Sequence, residues 1–265
     1  MNETDMGGAR LGPMGWRPGY QEFAPPAALC SLLTTVWRQV ASDDRDLVTL
    51  VLPDACTDLI WQAGRGAFVA GPDTGPAPAT LPAGTIIVGV RFRPGAGGPA
   101  LGMPLSALLN QRIDAVDLRA GLAADLRRRL PGSLAPAEAL LALLETAGAM
   151  VADRDPDCLA TEAVRLLGRD GTRAEEIAAQ LGVSQRQLLR RCQDAVGYGP
   201  AILRRVLRFQ RFIARVDADD GSATSLASLA AEVGYADHAH LARECARLAG
   251  LTPGALLDLR RGAAR

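Results

Sequence analysis

The sequence predicts an α+β protein: a small β-rich N-terminal domain with a helical extension, followed by an all-α domain with two helix-turn-helix units joined by a long helix. Apolar and β-branched residues cluster between about 47 and 92, whereas leucine and alanine recur at helical spacing from about 104 onward. The charged, proline-bearing segment 153–157 (DRDPD) separates the domains. A chain of 265 residues also exceeds the commonest size of a single domain.

Composition is that of a globular protein. Hydrophobic residues make up 48% of the chain and charged residues 22%. The 29 basic residues, all of them arginine, balance 29 acidic ones, so net charge alone indicates no partner. The five cysteines include no CxxC motif, which argues against a disulfide framework or a structural zinc site. We expect no cofactor.

The first 19 residues are polar and glycine-rich, which predicts a flexible arm. They lack the basic start and apolar core of a signal peptide. No apolar run approaches the ~18 residues of a transmembrane helix. We therefore expect a reduced, cytoplasmic protein.

The N-terminal domain is predicted to span 20–152 and to begin with strands. Segment 47–61 (LVTLVLPDACTDLIW) is β-like and broken by a Pro-Asp turn, and 67–71 (AFVAG) is a short strand candidate. The glycine- and proline-rich segment 71–84 is predicted to be a loop. Segment 85–94 (TIIVGVRFRP) is the strongest strand candidate.

The helical extension follows these strands. Segment 104–111 (PLSALLNQ) has proline at a plausible first helical position. Segments 120–130 (AGLAADLRRRL) and 135–152 (APAEALLALLETAGAMVA) repeat leucine at helical spacing. We expect helices in all three.

The C-terminal domain, predicted at 155–265, contains an internal repeat. Segment 177–200 (IAAQLGVSQRQLLRRCQDAVGYGP) aligns with 229–253 (LAAEVGYADHAHLARECARLAGLTP), with one additional residue in the second turn. The repeat indicates one supersecondary unit used twice. The alignment pairs Gly182 with Gly234, Leu188 with Leu241, Cys192 with Cys245, Gly197 with Gly250, and Pro200 with Pro253.

Each copy has the local signals of a helix-turn-helix. In the first copy, Thr172 is predicted to cap a helix, with Glu175 completing a capping box. Gly182 ends that helix because glycine adopts a left-handed turn at little cost. Ser184 is predicted to cap the second helix.

The second helix of each copy presents one face inward and one outward. Leu188 and Cys192 lie four residues apart and predict the inner face, as do Leu241 and Cys245. Polar residues fill the outer faces. Between 184 and 215, moreover, eight arginines accompany a single acidic residue, Asp194, which favours binding to phosphate.

Both histidines of the chain start the second outward face. His238, His240 and Cys245 invite interpretation as a metal site. Histidines two residues apart lie on different sides of a helix, and Cys245 belongs to the inner face, so this arrangement disfavours a shared metal. DNA contact is the favoured interpretation, and surface residues without a ligand remain an alternative.

Residues 155–260 resemble the AraC/XylS family of transcription regulators. The resemblance rests on both helix-turn-helix units, the connecting segment 199–216 (GPAILRRVLRFQRFIARV) and the closing 250–257 (GLTPGALL). It implies a sequence-specific regulator, not an enzyme, that binds double-stranded DNA. The residues expected at DNA are Ser184, Gln185, Arg186, Gln187, Leu189, Arg190, Arg204, Arg208, His238, Ala239, His240 and Arg243.

Segments 52–61 and 89–98 look like the short N-terminal domain of one branch of these regulators. The resemblance implies effector binding or dimerisation, with a small molecule, a second copy of the chain and RNA polymerase as partners. An Arg–Asp ion pair that closes a small barrel is the alternative to a ligand site. The residues considered for the pocket are Trp37, Asp54, Asp58, Trp61, Arg91 and Arg93.

A second function remains open on the sequence alone. The chain could be a small-molecule-binding or enzymatic protein whose helical domain makes protein contacts. No histidine precedes His238, so histidine-based catalysis in the N-terminal domain is disfavoured.

Overall fold

A computed structural model describes residues 19–151, 157–169, 171–218 and 226–263. The arm predicted at 1–19, except Gly19, and most of the predicted boundary at 153–157 lie outside the described residues. We call 19–151 the N-terminal region and 157–263 the C-terminal region.

The N-terminal region is built on antiparallel strands. Six of them form one sheet in the order β1-β2-β7-β4-β5-β8, and β3 pairs with β6 in a separate two-stranded ribbon. The strands are β1 (Gly19–Phe23), β2 (Leu33–Val40), β3 (Leu47–Val51), β4 (Thr57–Gln62), β5 (Gly66–Ala70), β6 (Ala77–Leu81), β7 (Ile86–Phe92) and β8 (Arg112–Asp114).

Several strands depart from the sequence prediction. The segments 47–61, 67–71 and 85–94 do form strands, as predicted. The prediction of an unbroken loop over 71–84 was wrong, because β6 lies within it and pairs with β3. Pro78 cannot donate to a ladder, but in a two-stranded ribbon one side of each strand has no neighbour, which tolerates proline. The strands β1, β2 and β8 were not predicted.

Helices cover one face of the sheet. The predicted segments 120–130 and 135–152 contain the helices Ala120–Arg129 and Pro136–Val151, whereas 104–111 forms only the short 3-10 helix Leu105–Leu108. The side chains of Phe92, Leu126 and Leu143 are buried between sheet and helices. The helices of this region are α1 (Gly97–Leu101), α2 (Ala120–Arg129) and α3 (Pro136–Val151).

All the secondary structure in the described residues of the C-terminal region is helical. Helix α7 joins the two helix-turn-helix units, α5–α6 and α8–α9. Within the described residues, no helix has the length and apolarity that crossing a membrane requires. The helices are α4 (Cys158–Leu167), α5 (Ala174–Gln180), α6 (Gln185–Val196), α7 (Pro200–Ala218), α8 (Leu226–Glu232), α9 (His238–Ala249) and α10 (Pro253–Ala263).

The caps of the first unit differ by one residue from the prediction. Helix α5 is capped by a bond from the backbone N–H of Arg173 to the Glu176 carboxylate at 3.1 Å, so Thr172 and Glu175 do not form the capping box. Ser184 caps α6 as predicted: its Oγ accepts from the N–H of Gln187 at 3.2 Å. The Gln187 side chain accepts in return from the N–H of Ser184 at 2.8 Å.

Both units bury their inner faces on α7. The side chains of Leu188 and Cys192 from α6 and of Leu241 and Cys245 from α9 are at most 1% exposed. They share one apolar cluster with the inner face of α7. Phe209 at the middle of that face is fully buried.

A segment of the N-terminal region, residues 71–76, contacts the ends of both second helices; we call it the strap. A Cβ atom on Gly197, at the C-terminus of α6, would lie 2.6 Å from the Pro72 ring. A Cβ on Gly250, at the C-terminus of α9, would lie 3.4 Å from Pro76. The strap therefore bridges the two units from one side.

The base of the strap is fixed by side chains of the N-terminal region. The Asp73 carboxylate accepts two bonds from the Arg112 guanidinium, at 3.0 and 2.6 Å. The backbone N–H of Thr74 donates to the Asn110 side chain at 2.8 Å. The amide of Gln210 on α7 also donates to the carbonyl of Pro53, at 2.6 Å, so the connecting helix is tied to the same region.

Alanine at Gly182 and at Gly197, the glycines that follow α5 and α6, should distinguish the stability cost of backbone strain from the cost of a clash with the strap. Gly182 has φ +66° and no neighbour that a Cβ would meet, so Gly182→Ala should cost only the left-handed strain, about 1–2 kcal/mol. Gly197 has φ +92° and Pro72 in the way, so Gly197→Ala should cost about 1–3 kcal/mol more. Urea unfolding of the full chain measures both. Equal losses for the two variants would contradict the strap contact.

Candidate nucleic-acid interface and adjoining cleft

The outer face of α6 is exposed to solvent. Gln185, Arg186 and Arg190 are exposed, and Leu189 is 42% exposed despite its apolar side chain. The capping box at the start of α6 fixes the first turn and leaves this face outward. All four side chains are therefore accessible to a DNA groove.

The arginines between 184 and 215 fall into two groups. Six have partners within the protein, and among the described residues only Arg186 and Arg190 have none. The two without partners lie on the outer face of α6. The six internal contacts join Arg191 to Asp157, Arg204 to the carbonyl of Thr172, Arg205 to Glu244, Arg208 to the carbonyl of Gly234, Arg211 to the carbonyl of Gly168, and Arg215 to Glu232.

The sequence predicts DNA contacts for Arg204 and Arg208. In the structure, both side chains join α7 to the helix-turn-helix units. Arg204 donates to the first unit through the Thr172 carbonyl at 3.0 Å. Arg208 donates to the turn of the second unit at 3.1 Å, and its guanidinium lies 5.4 Å from the centre of the Tyr235 ring. Each bond uses one of five guanidinium N–H donors, so the remaining donors can still meet phosphate.

The second unit presents a smaller polar face. His238, Ala239 and Arg243 are exposed on α9. His240 is half-buried: its ring stands edge-on to Tyr235 with 5.2 Å between ring centres. Its Nδ1 accepts from the N–H of Ala236 at 3.4 Å. The two histidines therefore differ, because only His238 projects freely.

The cysteine beside these histidines lies in the core. The Cys245 side chain is 0% exposed, and burial raises the pKa of its thiol to about 11. A metal would require the thiolate, which this burial disfavours. The described residues also contain no group of three side chains that could hold a metal ion.

A cleft of about 1500 Å³ lies between the sheet, the β3–β6 ribbon and the C-terminal region. Four of the residues predicted for a pocket line it: Trp37, Asp54, Asp58 and Arg91. Side chains from α7 and α10, including Ile213 and Arg260, lie at the same cleft.

Two residues predicted for the pocket lie elsewhere. Trp61 is fully buried in the core on the opposite face of the sheet, and its indole N–H donates to the carbonyl of Pro131 at 2.9 Å. Arg93 donates to the carbonyl of Cys30 at 2.6 Å and does not line the cleft. Trp61 follows Ile60 along β4, and neighbouring residues of a strand point to opposite faces.

An ion cluster occupies one end of the cleft. The Arg91 guanidinium binds both carboxylate oxygens of Asp58, at 2.9 and 3.0 Å. It also lies 3.3 Å from the Asp54 carboxylate and 3.9 Å from that of Glu22. The ion pair predicted as the alternative to a ligand site therefore exists, and it lies in the wall of the cleft.

Asp54 gives the cluster a pH dependence. Burial, with Asp58 adding to it, raises the pKa of Asp54 above its ordinary 3.8 despite the nearby Arg91. A raised carboxyl pKa means that the ionised form costs stability; the cost is absent well below pH 3.8 and complete above the raised pKa. Asp54→Asn should therefore raise the free energy of unfolding at pH 7, and this gain should vanish in acid.

Asp125 supplies the control for that measurement. Burial opposes ionisation of Asp125, but hydrogen bonds from Arg129 and Arg128 outweigh it and lower the pKa. Asp125→Asn should consequently lower stability at pH 7, the opposite sign. Urea unfolding between pH 3 and pH 7 compares the variants. A loss of stability for Asp54→Asn at pH 7 would contradict the assignment.

Comparisons with known proteins match two separate parts of the chain. Residues 177–258 match the family model of a helix-turn-helix domain, and residues 21–114 match a domain of unknown function (DUF6597). No curated protein sequence matches significantly.

Solved structures of ToxT from Vibrio cholerae are among those similar to this one. ToxT of strain O395 is 13% identical, with a TM-score of 0.45 over 88% of this chain and 99% of that one. A second ToxT structure is 11% identical, with a TM-score of 0.43 over 91% of this chain and 98% of that one.

The match at 177–258 covers both second helices and the whole of α7. The chain is therefore a DNA-binding transcription regulator with an AraC-type helix-turn-helix domain, which follows an N-terminal domain of unknown function.

Proposed function

We propose that this regulator reads a DNA sequence through the outer faces of α6 and α9, and that the N-terminal region controls this reading through a small molecule bound in the cleft. The observation that carries the proposal is the pair Arg186 and Arg190. Among the described arginines of 184–215 they alone have no partner within the protein, and both lie on the accessible face of α6.

Arginine suits this position chemically. A guanidinium can bind the O6 and N7 atoms of guanine through two parallel hydrogen bonds in the major groove. Gln185 and Leu189 flank the two arginines and can add polar and methyl contacts. Ser184 and Gln187 form the cap, so we assign them to placing the helix, with their remaining polar atoms directed to phosphate.

The second unit contributes a weaker reading face. His238, Ala239 and Arg243 are its exposed members, with His240 beside them. Because α6 and α9 stand on one connecting helix, we propose that they enter successive major grooves on one side of DNA, about one helical turn apart.

The strap supplies a route from the cleft to DNA. Asp73, Thr74 and Pro76 line the cleft and belong to the segment that contacts both second helices. A ligand that shifts the strap changes the relative position of α6 and α9, and hence their fit to two grooves. The effector therefore acts by favouring one arrangement of the units.

We further propose that the chain forms two domains, 20–152 and 155–265, after an N-terminal arm. Separate apolar clusters in the two regions support the division, although Ala55 of the N-terminal region packs into the C-terminal cluster. Pairing with a second copy through the N-terminal domain and contact with RNA polymerase stay predictions, as does a cytoplasmic location.

Replacing Arg190 by alanine should impair base recognition. Arg190→Ala should weaken the preferred site by about 1–3 kcal/mol and relax preference at one base pair, because a bidentate guanine contact is lost. Arg208→Ala should weaken all sequences about equally, because we expect its remaining guanidinium donors to meet phosphate. Selection of binding sites from random DNA measures the base preference of each variant, and gel shift measures its affinity. Together they distinguish the two effects.

Arg128→Ala is the matched control for this experiment. Arg128 is a strongly exposed arginine on α2 whose ion pair with Asp125 lies within its own helix. Its removal should leave both affinity and preference unchanged. An Arg190→Ala profile identical to that of the control would refute the role given to α6.

The two histidines should behave differently when replaced. His238→Ala should weaken specific DNA binding and leave thermal stability unchanged, since its side chain is exposed. His240→Ala should also lower stability, because it removes the ring contact with Tyr235 and the bond from the Ala236 N–H. Gel shift and thermal unfolding measure both effects. One zinc per chain that depends on these histidines would overturn this interpretation.

A further inference from the structure

Four strands place one row of residues across the floor of the cleft. Trp37 on β2 pairs with Gly89 on β7, and Gly89 pairs with Ile60 on β4, which pairs with Phe68 on β5. Trp37, Ile60 and Phe68 form a buried cluster of their own. Because Gly89 has no side chain, the indole lies across it: a Cβ there would stand 2.4 Å from Trp37 Cζ2. The floor is apolar, and the Tyr20 ring lies beside it, with 5.9 Å between its centre and that of the Trp37 ring.

The charges beside this floor are unbalanced. Asp58 and Arg91 lie one strand repeat further along the same face, since side chains alternate between faces. Arg91 is the cation nearest to three carboxylates: Asp58, Asp54 at 3.3 Å and Glu22 at 3.9 Å. One guanidinium and three carboxylates leave an excess of negative charge at this end.

The other arginines of the cleft are matched one to one. Each is paired with a single carboxylate, so none of the described arginines that line the cleft is available to an anion without breaking an ion pair. These pairs are Arg65 with Asp114, Arg112 with Asp73, and Arg260 with Asp217.

Two further contacts show what the floor can hold. The Arg65 guanidinium lies 4.0 Å from the centre of the Phe68 ring, so an aromatic face of the cleft already carries a cation of the chain itself. Trp37 is only 4% exposed and lines the cleft, and its indole N–H has no acceptor among the described residues. A buried donor without a partner is costly. It would be satisfied by an acceptor atom on the body of a ligand, not by a cationic group, which only donates.

We propose that the cleft binds an organic cation: an amine or guanidinium carried on a flat apolar body. The cationic group lies against Asp54 and Glu22, where the carboxylates exceed the available guanidinium. The apolar body lies on the part of the floor formed by Trp37 and Ile60, because Arg65 already covers the Phe68 ring. This inference rests on the cleft being the effector site of the proposed function, and it names the chemical class of that effector.

Three indoles with the same ring and different tails test the proposal on the full chain without DNA. Tryptamine carries an ammonium group, tryptophol a hydroxyl and indole-3-propionate a carboxylate. Isothermal titration calorimetry should show tryptamine binding at least about tenfold more tightly than tryptophol, because its charged donor meets carboxylates. Binding of indole-3-propionate should be the weakest, because each arginine of the cleft already binds a carboxylate.

Two variants locate the cationic group. Asp54→Asn and Glu22→Gln should each lower tryptamine affinity several-fold and leave tryptophol affinity unchanged. Glu22 is half exposed on an edge strand, so its substitution leaves the fold intact. Asp125→Asn, a carboxylate on α2 away from the cleft, is the control and should change neither affinity.

The outcomes are separable from those of DNA binding. Equal affinity for the three indoles, tighter binding of indole-3-propionate, or no tryptamine binding at its highest soluble concentration overturns the cation proposal. None of these results tests the proposed contacts of α6 with DNA. Conversely, a chain that binds tryptamine as predicted but shows no sequence preference on DNA overturns the proposed function and leaves the cation site standing.

Discussion

The second helices of both units, α6 and α9, depend on the single apolar face of α7. Phe209 and its neighbours on that face bury Leu188 and Cys192 from one unit and Leu241 and Cys245 from the other. Neither unit is large enough to bury such a face alone, so the shared core fixes both second helices relative to one rod. This core also fixes the position of the outer faces, because a helix that buries one apolar stripe exposes its opposite face to solvent.

The arginines between 184 and 215 differ in whether they have partners within the protein. Those on α7 bind backbone carbonyls or acidic side chains of neighbouring segments, as Arg204 does at 3.0 Å from Thr172 and Arg205 at 3.1 Å from Glu244. Arg186 and Arg190 on α6 have no such partner among the described residues. Much of the positive charge between 184 and 215 therefore makes contacts within the protein, and the part without such contacts among the described residues lies on α6.

How far the sequence predicted this structure depends on how local each signal is. The two helix-turn-helix units were predictable because helical spacing, Ser184 and Gly182 act within a few residues of one another. Strand β2 was missed because most of its residues are buried on both faces, which removes the alternation that marks a strand. Trp61 was assigned to the same face as Asp58, although the two are three residues apart in one strand and alternation places them on opposite faces. The partners of Arg204 and Arg208 lie 32 and 26 residues away, beyond any local pattern.

Methylation interference on a selected DNA site tests the central claim most directly, since it reports guanine N7 in the major groove. If α6 and α9 both enter the groove from one connecting helix, methylation should block binding at guanines in two clusters on one side of the duplex, about one helical turn apart. The stronger cluster should face α6. Interference confined to the minor groove, or clusters on opposite sides of the duplex, would contradict a pair of reading helices held on one core.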